Sequence, residues 1–510
     1  LQLTTDHGKT WTNFADKLPG APKNAWIPAI EASPKNAGEA FIVLNNYRQN
    51  DWAPYLYHTT DFGKNWKRLA GPDNMSSGMT GKTKNNTEAG NYCLSVVQDS
   101  EVPSLLFLGT DQGLYVSIDY GVNWTLWPVE SFPTVPVFDL KIQQRDGDLV
   151  IGSFGRGIWI MDNLSVLRDL ARTSGKIIEQ PFKLFQPQAG ILAEYRSFDG
   201  PRFAVDATYS GQNKGTAIRI PVWVKVEKEK GDKGKAEKEK GEKEKAEGEK
   251  GGKEKAGKEK GKKEKAVVTV LSLEGDTLRR FKTELDTFFT SSIYWGMDTK
   301  GVRFPSKNEP DKEQLEPGGG PSVLPGEYWV KVKYLDYQDS VKVKVLDDPR
   351  LNFSPTDRQA RATAMRDMYK VVEKANKGYE RLKDAEKTIG LVESQFLNVP
   401  DSLKKDVVKL GGALKDSIST LKDLFFRHKD VKGIQRNPNV LNAHLSQAFE
   451  YIEGNQGPPN AVAQLSIENA QKSTDAVLEK INAFFDGQWK DYRAKAEAVK
   501  YSLFKDFDRL

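Results

Sequence analysis

Thr4-Thr5-Asp6-His7-Gly8-Lys9-Thr10-Trp11 returns twice more, as Thr59-Thr60-Asp61-Phe62-Gly63-Lys64-Asn65-Trp66 and as Ser117-Ile118-Asp119-Tyr120-Gly121-Val122-Asn123-Trp124. The shared pattern is Ser/Thr-x-Asp-x-Gly-x-Thr/Asn-Trp, and its aspartates lie 55 and 58 residues apart. That period suits a repeated unit of several short strands. Each copy reads as a tight turn between two strands. The aspartate accepts from turn amides, the glycine takes positive φ, and the tryptophan packs under the turn.

Around these copies, residues 1–170 alternate short apolar strands with turn signals. Phe41-Ile42-Val43-Leu44, Tyr55-Leu56-Tyr57-His58, Leu105-Leu106-Phe107-Leu108 and Leu114-Tyr115-Val116-Ser117 are the clearest strands. Leu149 to Asn163, with Gly155-Arg156-Gly157 inside it, reads as a last unit carrying a degenerate copy of the repeat.

The repeat resembles the Asp-box (BNR) motif of sialidase-like, xyloglucanase-like and sortilin/Vps10-like β-propellers. Three further stretches extend the likeness: Asn46 to Tyr55, Leu108 to Ser117 and Gly155 to Trp159. Together they resemble bacterial exported proteins of the glycosyl-hydrolase-like BNR type. The resemblance implies the order propeller, β-sandwich, helical tail, and an extracytoplasmic location. It also implies that Thr4, Asp6, Gly8 and Trp11, Thr59, Asp61, Gly63 and Trp66, and Ser117, Asp119, Gly121 and Trp124 are structural and remote from the ligand site. About three blades and part of a fourth do not close a ring, so further blades are expected upstream of Leu1.

The expected fold is mainly β with an α C-terminal part. Residues 171–350 read as a fibronectin-III-like or immunoglobulin-like sandwich. Ile218, Ile220, Val222, Val224 and Val226 alternate along one strand, with Arg219, Trp223 and Lys225 on its other face; Val267, Thr269, Leu271 and Leu273 continue after an insertion. Pro325-Gly326-Glu327-Tyr328 opens a hairpin whose turn is expected at Leu335 to Asp339. The insertion, residues 227–266, is a Lys/Glu/Gly/Ala tract with no aromatic or branched aliphatic residue. It buries too little to offset its ordering entropy and is expected to be disordered.

Residues 351–510 change to helical periodicity. Ser354-Pro355-Thr356-Asp357 is a helix start, Leu403, Val407, Leu410, Leu414, Ile418, Leu421 and Phe425 make one stripe, and Gly411-Gly412 is expected to weaken it. Leu441, Leu445, Phe449 and Ile452 mark a shorter helix, and Val477, Ile481, Phe484 and Trp489 another after Pro458-Pro459. An antiparallel bundle follows, and self-association through it is a further expectation.

Composition narrows the function. Of the net charge of +6, the tract supplies +4 through 16 Lys against 12 acidic residues. The rest is almost neutral, which argues against a nucleic-acid partner. One Cys and four His give no metal-ligand spacing, no cofactor fingerprint is present, and no apolar run is long enough to span a membrane.

One loop stands apart. Asn45, Asn46, Arg48, Asp51 and Trp52 gather amides, a guanidinium, a carboxylate and an indole within eight residues. Such groups suit a sugar or a peptide terminus; equally, Arg48 and Asp51 can pin each other. Asn46, Arg48, Asp51, Trp52 and Arg156 are therefore the candidate ligand contacts, and no catalytic residue is assigned. The function expected is a ligand-binding or scaffold protein taking a glycan or a protein or peptide on the propeller face. A glycoside hydrolase, with carboxylates largely upstream, and a structural assembly subunit are the alternatives.

Overall fold

Runs such as Phe41 to Leu44 lack the in-out alternation of a sheet with one wet face, so these strands need cover on both sides. The computed structural model, which describes residues 1–71, 74–76, 91–193, 214–225, 264–286, 291–426, 439–454 and 457–499, supplies it. First comes the pair β1 (Gln2–Leu3) and β2 (Thr12–Asn13). A meander of β3 (Trp26–Ala32), β4 (Ala40–Asn46), β5 (Asp51–Thr59) and β6 (Lys67–Ala70) follows. β7 (Met75–Ser76) then pairs in parallel with the outer strand of the next meander, β8 (Cys93–Gln98), β9 (Leu106–Thr110), β10 (Gly113–Ser117) and β11 (Trp124–Leu126). β12 (Val137–Gln143), β13 (Asp148–Ser153) and β14 (Ile158–Met161) form the last of these sheets.

Successive residues of one strand serve different neighbours. Phe41, Val43 and Leu56 pack against Leu106, Leu108, Tyr115 and Trp124. Ile42, Leu44, Tyr55 and Tyr57 face the other way, towards Leu1 and Leu18. Phe107, Leu114 and Val116 in turn meet Leu140, Leu149 and Ile151. The sheets are therefore stacked in chain order. The far face of β12–β14 is left bare among the described residues, with Phe138, Ile158 and Ile160 57–75% exposed.

Within Leu149 to Asn163, Gly155-Arg156-Gly157 turns β13 into β14, the place that 47–50 and 111–112 hold in the preceding sheets, with its glycines at φ 93° and 72°. Asp162-Asn163 follows β14 where the repeat turns follow β5 and β10, and Asn163 has φ 59°. The repeat tryptophans differ. Trp124 lies between two sheets at 0% exposure, whereas Trp11, at the end of the stack, is 58% exposed. Burial follows the neighbours available and not the motif.

After α1 (Ser165–Arg172), held by Arg168 to the buried Asp99 at 2.8 Å, a second β region follows. It comprises β15 (Phe182–Leu184), β16 (Gly190–Leu192), β17 (Ile218–Val224), β18 (Ala266–Leu271), β19 (Thr277–Thr283), β20 (Ser292–Trp295), β21 (Gly326–Tyr334) and β22 (Tyr337–Asp347). Sheets β15-β17-β20 and β16-β22-β21-β18-β19 share one core, including Ile220, Val222, Val268, Val270, Trp295, Val332 and Val343. Ala266, Val268 and Val270 face that core, opposite in parity to the expected Val267 and Thr269. The adjacent Val267-Val268 leaves parity ambiguous locally, and pairing of Val268 with Val332 decides it. The β21–β22 turn is two residues, Leu335-Asp336, with Leu335 at φ 53°. Trp223 does lie on the outer face of β17, but Ile177 and Phe185 bury it. Val226 and nearly all of the Lys/Glu tract lie outside the described residues.

The C-terminal region is helical. In α2 (Pro355–Gln395), Ser354 accepts from the Asp357 amide and Asp357 accepts from the Ser354 amide, a reciprocal cap. α3 (Asp401–Asp423) runs unbroken through Gly411-Gly412. A Cβ on Gly411 would stand 3.2 Å from Ile389 Cγ2, so this glycine permits close helix packing. α4 (Leu441–Glu453), α5 (Ala461–Phe484), a π turn over Phe485–Trp489 and α6 (Lys490–Ala498) complete it. Leu441, Leu445, Phe449, Ile452, Val477, Ile481 and Phe484 share a core with Met368, Val372 and Leu382 of α2. No helix among the described residues is long and apolar enough to cross a membrane.

Candidate functional site

The hydrogen bonds of the three repeat turns explain the motif position by position. In the first, Gly8 N donates to Thr4 Oγ1 at 2.8 Å, Thr4 Oγ1 and Thr10 N donate to Asp6 Oδ1 at 2.9 and 2.8 Å, and Thr10 Oγ1 donates to Asp6 Oδ2 at 2.6 Å. The second substitutes Thr59, Asp61, Gly63 and Asn65, and the third Ser117, Asp119, Gly121 and Asn123, with every corresponding bond between 2.6 and 3.0 Å. His7, Phe62 and Tyr120 sit at φ 57–64°, each followed by a glycine with positive φ. Bonds from Thr10 hold the Asp6 carboxyl down at about 2, and bonds from Asn65 lower Asp61. Both oxygens of each aspartate are occupied within its own turn.

Cross-sheet bonds orient the two ends of the stack. Phe62 N donates to Gly38 O, and Tyr120 OH to Glu39 Oε1, so the repeat turns share an end with the β3–β4 turn. Glu39 also meets His58 Nε2 at 2.9 Å. This acid, a partner for His58 that local reading missed, is buried with it. Burial pushes Glu39 up, but bonds from Tyr120, His58 and Ser33 outweigh that and lower it. The group joins two sheets and offers no surface to a ligand.

At the opposite end lie the turns β4–β5, β9–β10 and β13–β14. The first is a 3-10 turn over Tyr47–Gln49, closed by Asn50 at φ 57° with its amide on Tyr47 O at 3.0 Å; asparagine tolerates this left-handed conformation. Tyr92, leading into β8, links this turn to the second. Its ring stacks on Tyr47 at 4.5 Å and lies 5.7 Å from Trp52, while its carbonyl accepts from Asp111 N at 3.2 Å. The third turn joins through β12, for Ser95 Oγ donates to Val137 O and Phe154 N donates to Pro136 O.

The five candidate residues divide by what they touch. Asp51 accepts from Asn46 Nδ2 at 3.1 Å, Ala53 N at 3.2 Å and Tyr55 OH at 3.0 Å. Burial raises its carboxyl, but these bonds and the Arg68 charge outweigh it and lower it. Burial and the Asp51 bond push Tyr55 up to about 12. Asn46 and Asp51 thus brace the turn. Arg48 and Asp51 do not pin each other: Arg48 lies over Tyr47 at 4.7 Å and Trp26 at 5.3 Å, and makes no ion pair among the described residues. Trp52 is 44% exposed, its indole nitrogen donating to Asn50 Oδ1. Arg156 is exposed, about two sheets away, with its carbonyl accepting from Trp159 Nε1.

The structure adds Trp26, Tyr47, Tyr92 and Asp111. Trp26 is 60% exposed, and burial pushes the Asp111 carboxyl up to about 6. Tyr92 and Asp111 reach Tyr47 only across two sheets, a proximity for which no local spacing signals. Burial also drives the Cys93 thiol up to about 12, which removes it as a nucleophile. Among the described residues no cluster of His, Cys, Asp and Glu could hold a metal ion.

No protein-family model matches the chain, and no curated protein matches it significantly. Among solved structures it is similar to a GH74 xyloglucanase from Xanthomonas campestris, at 17% identity and a TM-score of 0.20, over 27% of this chain and 22% of that one. An ancestral GH74 enzyme shows 16% identity and 0.21, over 30% and 19%. A GH74 enzyme from Niastella koreensis shows 16% and 0.21, over 39% and 28%. The chain thus spans well under a third of each, and likenesses this weak carry no argument.

Proposed function

We propose that the chain is part of an Asp-box β-propeller of the cell exterior that binds a glycan or peptide at the end opposite its repeats, as a ligand-binding or scaffold protein. The observation that carries this reading is the ring cluster Tyr47, Trp52 and Tyr92, topped by Arg48 without a carboxylate partner among the described residues. An exposed indole on half-buried tyrosines and an available guanidinium are binding chemistry, and a rigid sheet stack positions them. The bare face of β12–β14, together with exposed Ile30 on β3, supports continuation of the stack into a ring. Binding is favoured over hydrolysis because glycoside cleavage needs two carboxyl groups flanking one bond. Of the two in these turns, Asp51 is held by three donors, leaving Asp111 alone.

Titration of the full chain with oligosaccharide and peptide panels tests the reading. Trp52→Ala is expected to weaken the binding found while leaving melting unchanged. Failure of the wild type to bind any member of either panel rejects it.

Assembly through the helices has one observation of its own. An open groove between α2 and α5 is lined by Ala360, Ala364 and Ile467, and Val462 and Leu465 of α5 are half exposed elsewhere on that helix. A mass that stays monomeric at high concentration removes this second role.

A further inference from the structure

The proposed reading places a ligand on the first of three turns, yet all three turns share one end of the stack. Tyr92 joins the first to the second, and Pro136 and Val137 join the second sheet to the third turn. Stacked sheets lie about 10 Å apart, so the first and third turns are separated by about 20 Å.

The outer two turns carry the same pair of groups. Arg48 lies over the exposed ring of Trp26 and over Tyr47, which packs against the exposed Trp52. Arg156 stands in a turn with Phe154, whose ring is 70% exposed and 5.7 Å from Phe138. Glycines flank Arg156 on both sides, and a Cβ on either would meet nothing within 4 Å, so the guanidinium is openly approached. Neither arginine has an ion-pair partner among the described residues. The middle turn offers the exposed amide of Gln112, which donates to Asp111 Oδ2 at 3.1 Å. Asp111 Oδ1 is buried, so that carboxyl group is turned inward and neutralises neither arginine.

From this arrangement, and resting on the proposed binding function, we propose that the end opposite the repeats takes an extended carboxylate-bearing polysaccharide that crosses all three turns. The arginines select for carboxylate, which a guanidinium grips with two parallel bonds. The flat exposed rings at both outer turns suit the faces of sugar rings more than the changing side chains of a peptide. The spacing demands a polymer, since a single sugar or disaccharide cannot reach both arginines.

Calorimetric titration of the full chain with digalacturonate, octagalacturonate, octaguluronate, cello-octaose and octaglutamate tests the inference. At least one octauronate is expected to bind at least about tenfold tighter than digalacturonate, through simultaneous engagement of both ends. It should also exceed cello-octaose and octaglutamate and weaken with salt. Arg156→Ala is expected to reduce the octauronate to the affinity of the disaccharide without altering the disaccharide, whereas Arg48→Ala lowers both. The inference is overturned by affinity independent of chain length, by an Arg156→Ala protein that binds as wild type, or by octaglutamate binding as tightly. Cello-octaose binding as tightly overturns it too while leaving the proposed function standing. Absence of binding to all five ligands overturns the inference, and extending that silence to the wider panels removes the proposed function as well.

Discussion

The two ends of the stacked sheets are built on opposite plans. At the repeat end, one turn recurs three times and closes its polar groups on themselves, down to the same glycine amide donating to Thr4, Thr59 and Ser117. At the other end the three turns differ in length and sequence, and Arg48, Trp52, Trp26 and Arg156 are left facing outward. Repetition marks what the fold requires of every unit. Irregularity on the same scaffold marks what is free to meet something else.

The comparison is broken most severely if burial does not rule the repeat end. Trp124 is fully buried and its indole donates to Leu69 O at 3.1 Å. Trp124→Ala is expected to cost about 3–5 kcal/mol, the range for truncating a core aromatic. Trp11→Ala, the same motif position in the open, should stay within about 0.5 kcal/mol. Equal losses in denaturant titrations would show that the motif itself, and not its neighbours, sets the value of each copy.

At the other end, Asp51→Ala strips the acceptor from Asn46, the Ala53 amide and Tyr55. A loss of about 1.5–3 kcal/mol is expected, as for bonds to a charged group. A neutral result would mean that the turn does not depend on its braces.

Opposite pH slopes sharpen the contrast further. Asp6 titrates at about 2 in the fold against an ordinary 3.8. Its contribution is present above the ordinary value and is lost as pH falls towards 2. Asp111 is raised from 3.8 to about 6, so its contribution is present at low pH and is lost as pH rises from 3.8 through 6. Asp111→Asn should therefore stabilise at pH 7, by about 1–2 kcal/mol once solvent screening is allowed for. Asp6→Asn should instead flatten the acid limb below pH 4. Melting curves from pH 2 to 8 on the two variants decide it, and slopes of the same sign would refute the assignment.

Much of this was legible in the chain. The repeat turns were, because every bond that closes them falls within eight consecutive residues. The apolar strand runs and the Ser354–Asp357 cap were legible for the same local reason. The place of Gly155-Arg156-Gly157 was not, since only the pairing of β13 with β14 shows which turn it makes. The ring cluster was half visible: Tyr47 to Trp52 is one stretch, but Tyr92 and Asp111 arrive through sheet stacking, which leaves no periodic trace. The parity of Val267 and Val268 was undetermined until β21 paired with β18.

The smallest expected effect separates presentation from bracing within one turn. Arg48 and Asp51 are three residues apart, yet Asp51 is tied down by three donors while Arg48 rests on two rings. A cation over an exposed ring contributes about 0.5–1 kcal/mol, and Trp26 is mostly in solvent. Arg48→Ala should thus cost about 0.5 kcal/mol in stability, a third or less of the Asp51→Ala loss. Arg48→Lys should cost less still, since the charge over the rings is kept while the planar fork is lost. If Arg48→Ala destabilises as much as Asp51→Ala, the guanidinium is a brace after all, and the division of this turn into holders and presenters fails. If it does not, a ligand that loses affinity on both Arg48→Ala and Arg48→Lys identifies the fork itself, and not the charge, as what the turn holds out to solvent.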